Sequence, residues 1–474
     1  MYARALAAAL GAAVAACRPE YVHVIVDGTD MELMDEEQPR TVLVRAYGGA
    51  HTVEADYPSN FRETNSFFRT DFNLVFEDGA PETIDLRVAV LDAPDDWAGT
   101  ALVARSDEGE VHILLSPAEL RLSATDEPVR EVTGDLASMT RFGTGFAIGW
   151  PVALGVRLLT RDDPELAAGR PGLIPDDSPR QLRLASRPTS YDPDLMAMSW
   201  ISQTGQEGMA KLQIRTTDET SSPLLPLGTA DDIWPAVAPS DAPFAVATVT
   251  RLGDAITLAC HDENGADLGK TQLTLAADGI QGFVVGPGGR MIVALDDGGG
   301  GLLVQAMPTA TGPPCSSADE LAPVMADVHA MALSADRDLL FTVQRDTDLF
   351  LQAYELDDAM AAHGDREAFA KADPAPLPTL YQQLTISSCA VVWPARRDDG
   401  AEQVIDLWAR DLDSQGRPRE QARVVNARFE LDHFTPTVSC RSLTPYATFL
   451  SGEQANREIA VRKLPPPLLE ELRE

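Results

Sequence analysis

The chain has 474 residues, of which 73 are Asp or Glu and 38 are Lys or Arg, so its formal net charge is −35. This acid excess argues against a nucleic-acid partner, because nucleic-acid binding depends on basic side chains that neutralise phosphates. After residue 17 no apolar run approaches the ~20 residues that a membrane-spanning helix needs, so contact with a membrane is expected through a lipid only.

The first 17 residues are typical of a secretory signal. Arg4 provides a short cationic region, and Ala5–Ala16 is an apolar stretch of small residues. The stretch ends in Val14-Ala15-Ala16-Cys17, which resembles the bacterial lipobox. This resemblance implies that residues 1–16 are removed and that Cys17 is acylated, with several acyl chains giving a stable anchor. An ordinary signal peptide with a nearby cysteine is the alternative.

The residue after the cysteine bears on the destination of the protein. Position 18 is Arg, whereas the simple inner-membrane retention signal of bacterial lipoproteins carries Asp there. The sequence therefore favours an outer-membrane lipoprotein of the bacterial cell envelope, facing the periplasm or the cell surface.

Residues 17–125 form the first predicted domain. Thr83–Leu91 alternates polar and apolar residues, as a half-buried strand does. Further predicted strands, with Gly, Pro and Asp between them, are Tyr21–Val26, Thr41–Ala46, Phe72–Phe76, Ala101–Ala104 and Val111–Leu115. This pattern predicts an immunoglobulin-like or fibronectin-like β-sandwich that serves as a spacer. No cysteine follows Cys17 in this region, so the disulfide of antibody domains is missing.

Residues 126–464 are predicted to be a repeat region with a period of about 50 residues, near the repeat length of β-propeller blades. Each repeat contains an apolar strand followed by a hairpin partner. The apolar strands are Phe146–Trp150, Leu195–Trp200, Phe244–Val249, Met291–Leu295, Leu339–Val343, Ala390–Trp393 and Tyr446–Leu450. Seven copies predict a seven-bladed β-propeller, with residues 465–474 as a C-terminal tail.

One copy resembles known repeats more closely than the others do. Leu333–Asp357 has a Ser-x-Asp turn, an apolar strand, a second strand and an Asp-containing end. It resembles the repeats of periplasmic Tol-system and WD-type propellers. The resemblance implies the fold and does not extend to a partner.

The last copy ends without a fourth strand. In other copies Gln181–Ala185, Gln272–Leu275 and Arg423–Ala427 are expected to fill that place. Val129–Thr133 alternates and lies upstream of the first copy, so we expect it to pair beside Glu458–Leu464. Such pairing would cover an exposed strand edge.

Four cysteines follow Cys17, and four cysteines allow three pairings. The repeat register places Cys260 beside Cys315 and Cys389 beside Cys440, in neighbouring copies and at one end of the propeller. We expect these two pairs to form disulfides in an oxidising envelope, or to lie close together as free thiols.

Motifs for chemistry are sparse. The sequence has no zinc-ligand spacing among its histidines, no nucleophile elbow and no phosphate loop. We therefore expect no catalytic activity and no cofactor. Asp411 and Asp413 alternate before a Gly and could offer oxygens to Ca²⁺, although a simple turn is the alternative.

Two classes of function remain. The first is a monomeric binding or scaffold protein whose loops hold an envelope protein, a glycan or a cell-wall partner. Trp234 and Phe434 are its candidate binding aromatics, with packing between blades as the favoured alternative. The second is a propeller hydrolase or lyase that acts on an envelope polysaccharide or peptide at the central mouth.

Overall fold

The computed structural model divides the chain into two compact units. One unit takes Met1–Ala118 with Asp398–Gln403, and the other takes Glu119–Arg397 with Val404–Glu474. The structure describes residues 21–28, 41–48, 51–58, 68–76, 83–91, 97–105, 110–117, 137–161, 171–187, 194–204, 207–218, 220–296, 301–306, 315–316, 324–325, 328–334, 339–345, 349–356, 362–368, 384–399, 402–412, 422–425, 432–441, 444–452 and 457–464.

Nearly all of the described elements are β-strands, which confirms the predicted all-β class. In these ranges the one helical element is a 3₁₀ turn, Pro287–Gly289, in a glycine-rich segment. Gly288 has a φ of 67° there, a value that glycine adopts at little cost. Within the described ranges no helix is both long enough and apolar enough to cross a membrane.

The described residues of the first unit form eight strands in two sheets. The strands are β1 (Tyr21–Gly28), β2 (Thr41–Gly48), β3 (His51–Pro58), β4 (Phe68–Val75), β5 (Thr83–Leu91), β6 (Trp97–Ala104), β7 (Glu110–Leu114) and β8 (Ser116–Pro117). One sheet has the order β4-β1-β7, with β1 and β7 parallel, and the other has the order β3-β2-β5-β6-β8.

Both sheets contribute to one apolar core. Val22, Val24 and Val26 alternate along β1, and they share a buried cluster with Leu86 and Val88 of β5. This is the two-sided packing that alternating strands predict. The immunoglobulin-like assignment stays a prediction. Strand β3 was not predicted, because it lies at a sheet edge and its sequence, HTVEADYP, contains no apolar run.

The second unit contains seven sheets in its described residues. The first three are β9 (Ser138–Phe142), β10 (Gly145–Val152), β11 (Gly155–Arg161) and β12 (Gly172–Pro175); β13 (Pro179–Ser186), β14 (Leu195–Thr204), β15 (Glu207–Thr216) and β16 (Leu225–Thr229); and β17 (Asp232–Val237), β18 (Val246–Leu252), β19 (Ala255–His261) and β20 (Asp267–Ala276).

The remaining four sheets follow in chain order. They are β21 (Gly279–Val285), β22 (Met291–Asp296), β23 (Gly301–Ala306) and β24 (Val324–Met325); β25 (Val328–Ser334), β26 (Leu339–Arg345), β27 (Leu349–Leu356) and β28 (Ala362–Ala368); β29 (Thr385–Ile386), β30 (Ala390–Asp399), β31 (Glu402–Asp411) and β32 (Arg423–Val424); and β33 (His433–Arg441), β34 (Thr444–Ser451) and β35 (Glu458–Lys463).

The first strands of these sheets form a closed ring. Each contacts the first strand of the next sheet, from β9 through β13, β17, β21, β25 and β29 to β33, and β33 contacts β9 again. This is the arrangement of a β-propeller, and the predicted propeller-type fold is confirmed. We call this unit the ring, and we call the contact between two successive sheets a seam.

The second strand of a sheet has its two faces covered by the neighbouring sheets. Every residue of β10 is buried, and Trp200 of β14 and Trp393 of β30 are completely buried. A strand covered on both faces is apolar along its whole length rather than at alternate positions. This is why the apolar runs of the sequence correspond to the second strands.

The closing seam joins the first sheet to the seventh by packing. Trp150 and Phe146 of β10 share a buried cluster with Tyr446 and Leu450 of β34. The rings of Phe146 and Tyr446 lie 5.0 Å apart at 59°. A backbone contact reinforces the seam, since the amide of Met139 donates to Oγ1 of Thr437 at 3.1 Å.

A buried polar cluster crosses the seam between the first and second sheets. The carboxylate of Asp176, which follows β12, accepts hydrogen bonds from Trp200 Nε1, Ser202 Oγ and Lys211 Nζ. Burial raises the pKa of the Asp176 carboxyl, but these donors outweigh it and hold the pKa below its usual value. Asp176 therefore remains charged, and its negative charge balances the positive charge of Lys211.

Two predictions about fourth strands have different outcomes. Gln181–Ala185 was expected to end the first copy, and this prediction is wrong. The segment lies inside β13, the first strand of the second sheet, where it pairs with β14. Short β12 holds the place beside β11 instead. The predicted partner of Glu458–Leu464, Val129–Thr133, lies outside the described residues, and the seventh sheet has three strands in the described part of the chain.

Candidate functional site: the central channel

A central channel passes between the first strands of the ring. Its volume is about 290 Å³, and all seven sheets contribute to its wall. Because every first strand contributes backbone and side chains to it, the channel is the place where the repeats converge.

Four first strands depart from regular pairing near this channel. The register shifts between Arg180 and Arg183, between Ile280 and Gly282, between Val328 and Ala330, and between Phe434 and Thr437. Bulges redirect side chains and are common beside functional sites.

Two bulged residues have backbone conformations that are unusual for their type. Gln181 has a φ of 53° and Thr435 a φ of 45°, in the left-handed region. For a β-branched residue such as Thr435 this region is sterically costly, by about 1–3 kcal/mol. The surrounding ring must hold this conformation in place.

A stacked pair of side chains lies in the channel wall. The guanidinium carbon of Arg183 (β13) is 3.6 Å from the centre of the Trp234 ring (β17). At this distance a cation over an indole face is attracted by the ring quadrupole. Asp232 fixes the indole, because its carboxylate accepts from Trp234 Nε1 at 3.3 Å and from the amide of Ile233 at 2.8 Å.

The charge of Arg183 is only partly balanced. Its Nη2 lies 3.6 Å from the Asp232 carboxylate, which is too long for a hydrogen bond. Burial lowers the pKa of the Arg183 guanidinium, and the charge of Asp232 opposes that shift. An arginine stays protonated at neutral pH even so.

Gln281 lies on the bulge of β21 and lines the same channel. Its side chain is 7% exposed, and its Oε1 has no hydrogen-bond partner among the described residues. A buried carbonyl without a partner is unfavourable, so a ligand or an ordered water is expected to bond to it.

The channel also carries many hydroxyl groups. Its lining includes Ser138, Thr140, Ser186, Thr385, Ser387, Thr435, Thr437 and Ser439. Some are used inside the wall: Thr140 Oγ1 donates to Ser186 Oγ at 2.9 Å, and Ser138 Oγ accepts from the amide of Leu184 at 3.0 Å. These bonds set the register between the first two sheets.

The predicted binding aromatics differ in position. Trp234 is half-buried, lines the channel and packs against the apolar cluster between the third and fourth sheets. Phe434 is also half-buried, but it faces Arg457, whose guanidinium carbon lies 5.0 Å from the ring centre. The channel lining begins one residue later, at Thr435.

The four ring cysteines lie at two seams. Disulfide bonds join Cys260 to Cys315 and Cys389 to Cys440, with Cα atoms 5.8 Å and 6.1 Å apart. The first crosses the seam between the third and fourth sheets, and the second crosses the seam between the sixth and seventh. All four residues are buried.

Of the remaining predicted site residues that the structure describes, Asp411 does not line the channel. Asp411 is buried at the end of β31, where its carboxylate accepts from Arg423 Nη2 at 2.7 Å. No cluster of three potential metal ligands occurs among the described residues. Asp413 and Cys17 lie outside the described residues, so the calcium and lipid sites stay predictions.

Comparison with known proteins gives similarity of fold alone. No protein family model matches the chain, and no curated protein matches it. Among solved structures, a chain of the mitotic checkpoint complex matches with 10% identity and a TM-score of 0.42, covering 71% of this chain and 94% of that chain. The β-propeller domain of the Trilobed protease from Pyrococcus furiosus matches with 8% identity and a TM-score of 0.37, covering 58% and 82%.

A third solved structure is Sqt1 from Chaetomium thermophilum, bound to the N-terminus of a ribosomal protein. It matches with 13% identity and a TM-score of 0.39, covering 81% of this chain and 94% of that chain. At such identities and TM-scores no ligand or activity is transferred to this chain.

Proposed function

We propose that this protein is a lipid-anchored binding module of the bacterial cell envelope. In this proposal the ring is a seven-bladed β-propeller that holds a protein, glycan or cell-wall partner, and the first unit is an immunoglobulin-like spacer. The observation that carries the proposal is the Arg183–Trp234 stack in the channel wall. Arginine and tryptophan are the side chains that most often dominate binding energy.

The anchor part of the proposal rests on the N-terminal sequence. Val14-Ala15-Ala16-Cys17 follows an apolar stretch, and Arg18 favours the outer membrane. The two buried disulfides fit an oxidising compartment such as the periplasm or the cell surface.

Fractionation tests the anchor. Wild-type protein is expected with the membranes and with acyl groups detectable by mass spectrometry, and the Cys17→Ser variant in the soluble fraction without them. A wild-type protein that is soluble and unacylated would contradict the anchor, whatever the ring binds.

Binding is tested with the Cys17→Ser chain immobilised and exposed to envelope extracts and purified glycans. Trp234→Ala should lose the retained partner, because it removes the surface against which Arg183 stacks. Leu252→Ala is the control, since Leu252 is 50% exposed at the end of β18 in the same sheet and does not line the channel.

The same chain should be assayed against envelope polysaccharides and peptides for turnover. Turnover that survives repurification and is lost on substitution of a channel residue would replace the binding proposal with the hydrolase or lyase alternative.

A further inference from the structure

The charged side chains that line the channel have a sign opposite to the net charge of the chain. The full chain carries a net charge of −35. Among the described residues that line the channel, the charged ones are Arg141, Arg183 and Arg187, with no Asp, Glu, Lys or His. A positive cavity in an acidic protein favours an anion over a neutral molecule of the same shape.

Two of these arginines, Arg187 and Arg183, differ in how far their charge is balanced. Arg187 Nη1 lies 2.5 Å from the Asp194 carboxylate, and its Nη2 lies 3.5 Å from that of Glu263. Among the described residues one carboxylate lies close to Arg183, that of Asp232 at 3.6 Å, and it already accepts from two N–H groups. Arg183 therefore retains the capacity to bind a further anionic group.

The Arg183 side chain is partly exposed, and its Nε atom is buried. It is 23% exposed, lines the channel, and has its guanidinium carbon 3.6 Å from the centre of the Trp234 ring. Its Nε–H has no hydrogen-bond partner among the described residues. A guanidinium presents its N–H groups as a planar fork that matches the two oxygens of a carboxylate.

The rest of the lining suits hydroxyl groups. The buried amide of Gln281 offers an acceptor without a partner, and the serine and threonine hydroxyls can both donate and accept. A ligand with its own hydroxyls would satisfy these groups. The volume, about 290 Å³, lies at the lower end of ligand pockets and fits a molecule of monosaccharide size.

We infer that the channel binds a small polyhydroxylated carboxylate, such as a uronic acid. The carboxylate lies on Arg183, and a ligand hydroxyl donates to Gln281. This inference rests on the proposed binding function and gives the chemical class of the ligand, either free or as a residue of an acidic glycan.

Calorimetric titration of the full mature chain tests the class with three probes: glucuronate, glucose and glucose 6-phosphate. Glucuronate and glucose share a ring and differ in the carboxylate, so glucose should bind at least tenfold more weakly. Glucose 6-phosphate keeps the ring and replaces the carboxylate with a phosphate. Stronger binding of glucose 6-phosphate than of glucuronate would overturn the carboxylate assignment.

Variants locate the site. Arg183→Gln should weaken the binding of glucuronate at least tenfold, because a hydrogen bond to a charged group is lost. The affinity for glucose should be unchanged. Arg251→Gln is the matched control, since Arg251 lies on β18, outside the channel, and bonds to the carbonyl of Gly253. Equal affinity of wild type and Arg183→Gln for glucuronate, or no binding of glucuronate, rejects the inference.

A second variant guards against misfolding of the first. Gln281→Leu keeps the charge of the channel and removes the amide. It should weaken the binding of glucuronate severalfold and leave the binding of acetate, which has no hydroxyl, unchanged. Near-ultraviolet circular dichroism identifies any variant that fails to fold. If an envelope partner is retained in a Trp234-dependent manner while glucuronate does not bind, the ligand class fails and the proposed function stands.

Discussion

Two kinds of seam hold the ring together, and they rely on different interactions. Disulfides cross the seam between the third and fourth sheets and the seam between the sixth and seventh. The closing seam, between the first and seventh sheets, is held by packing of Phe146, Trp150, Tyr446 and Leu450. A covalent bond constrains the unfolded chain as well as the native one, whereas packing acts only in the native ring.

The two kinds of seam also differ in how far apart in the sequence their contacting residues lie. The two disulfides span 55 and 51 residues, about one repeat each. The closing seam joins residues that are far apart, such as Met139 and Thr437, whose separation is 298 residues. We therefore expect the closing seam to be the most sensitive to loss of side-chain volume.

The largest effect is expected at the closing seam. Trp150 is completely buried there, so Trp150→Ala should lower the free energy of unfolding of the ring by about 5 kcal/mol, through lost burial and the cavity left behind. Urea denaturation followed by fluorescence measures this value. Leu154→Ala, at an exposed turn between β10 and β11, should change it by less than about 0.5 kcal/mol. Similar losses in both variants would contradict the role assigned to this seam.

Removal of either disulfide should come next. With loops of 55 and 51 residues, the chain-entropy relation gives a loss of about 4 kcal/mol for each bond, and nearly the same loss for both. The paired variants Cys260→Ala/Cys315→Ala and Cys389→Ala/Cys440→Ala should be compared by urea denaturation without reductant. A midpoint unchanged from the wild type in either pair would show that its bond does not constrain the chain.

A polar seam gives the third test. Asp176→Ala removes the carboxylate that neutralises Lys211 and accepts from Trp200, so we expect a loss of about 3 kcal/mol. Because the pKa of Asp176 is lowered in the folded state, its contribution is present at neutral pH and is lost as the pH falls through that lowered value. The free energy of unfolding of the variant should therefore fall less steeply at acid pH than that of the wild type. An unchanged slope at acid pH would show that Asp176 does not titrate as described.

The smallest effect is a contrast in pH dependence between the two units. Burial lowers the pKa of His261 in the ring, against the opposing charges of Asp267 and Asp262. Protonation of His261 should therefore lower the free energy of unfolding of the ring as the pH falls below about 6.5, the ordinary pKa of histidine. The ring N–H groups of His23 in the first unit donate to the carboxylates of Asp71 and Glu110, which raises the pKa of His23, so its contribution is lost as the pH rises through the raised value.

Thermal unfolding from pH 5 to 8 distinguishes these two histidines. His261→Phe should reduce the fall in the unfolding temperature of the ring at acid pH. His23→Gln should reduce the fall in the unfolding temperature of the first unit at alkaline pH. The same slope in both variants and the wild type would contradict the assignment.

Much of the strand pattern could be predicted from the sequence, since each second strand contains a mostly apolar run. Tyr446–Leu450, for example, lies inside β34. The repeat register also put Cys260 near Cys315, because strand order determines which ends of neighbouring strands meet. Edge elements such as β3 were missed, and Gln181–Ala185 was placed in the wrong sheet, since polar strands lack an apolar signal.

The channel residues could not be predicted from the sequence. Arg183 and Gln281 occur in ordinary strand sequences, and their orientation depends on bulges at Gln181 and Gln281. The positive φ of Gln181 is imposed by the ring and not by a glycine that a reader of the sequence could recognise. Trp234 was identified as a candidate, but its stacking on Arg183 depends on contact between separate sheets.

The long span of the closing seam has a consequence for the order of folding. The entropy lost on closing a loop rises with its length, so contacts across 298 residues are costlier to form early than those across 51 or 55. During synthesis each disulfide-bearing seam can assemble once its two sheets have emerged, whereas the first sheet must wait for the last. Until then the apolar faces of the first and seventh sheets are exposed, and this open intermediate is the form most exposed to aggregation.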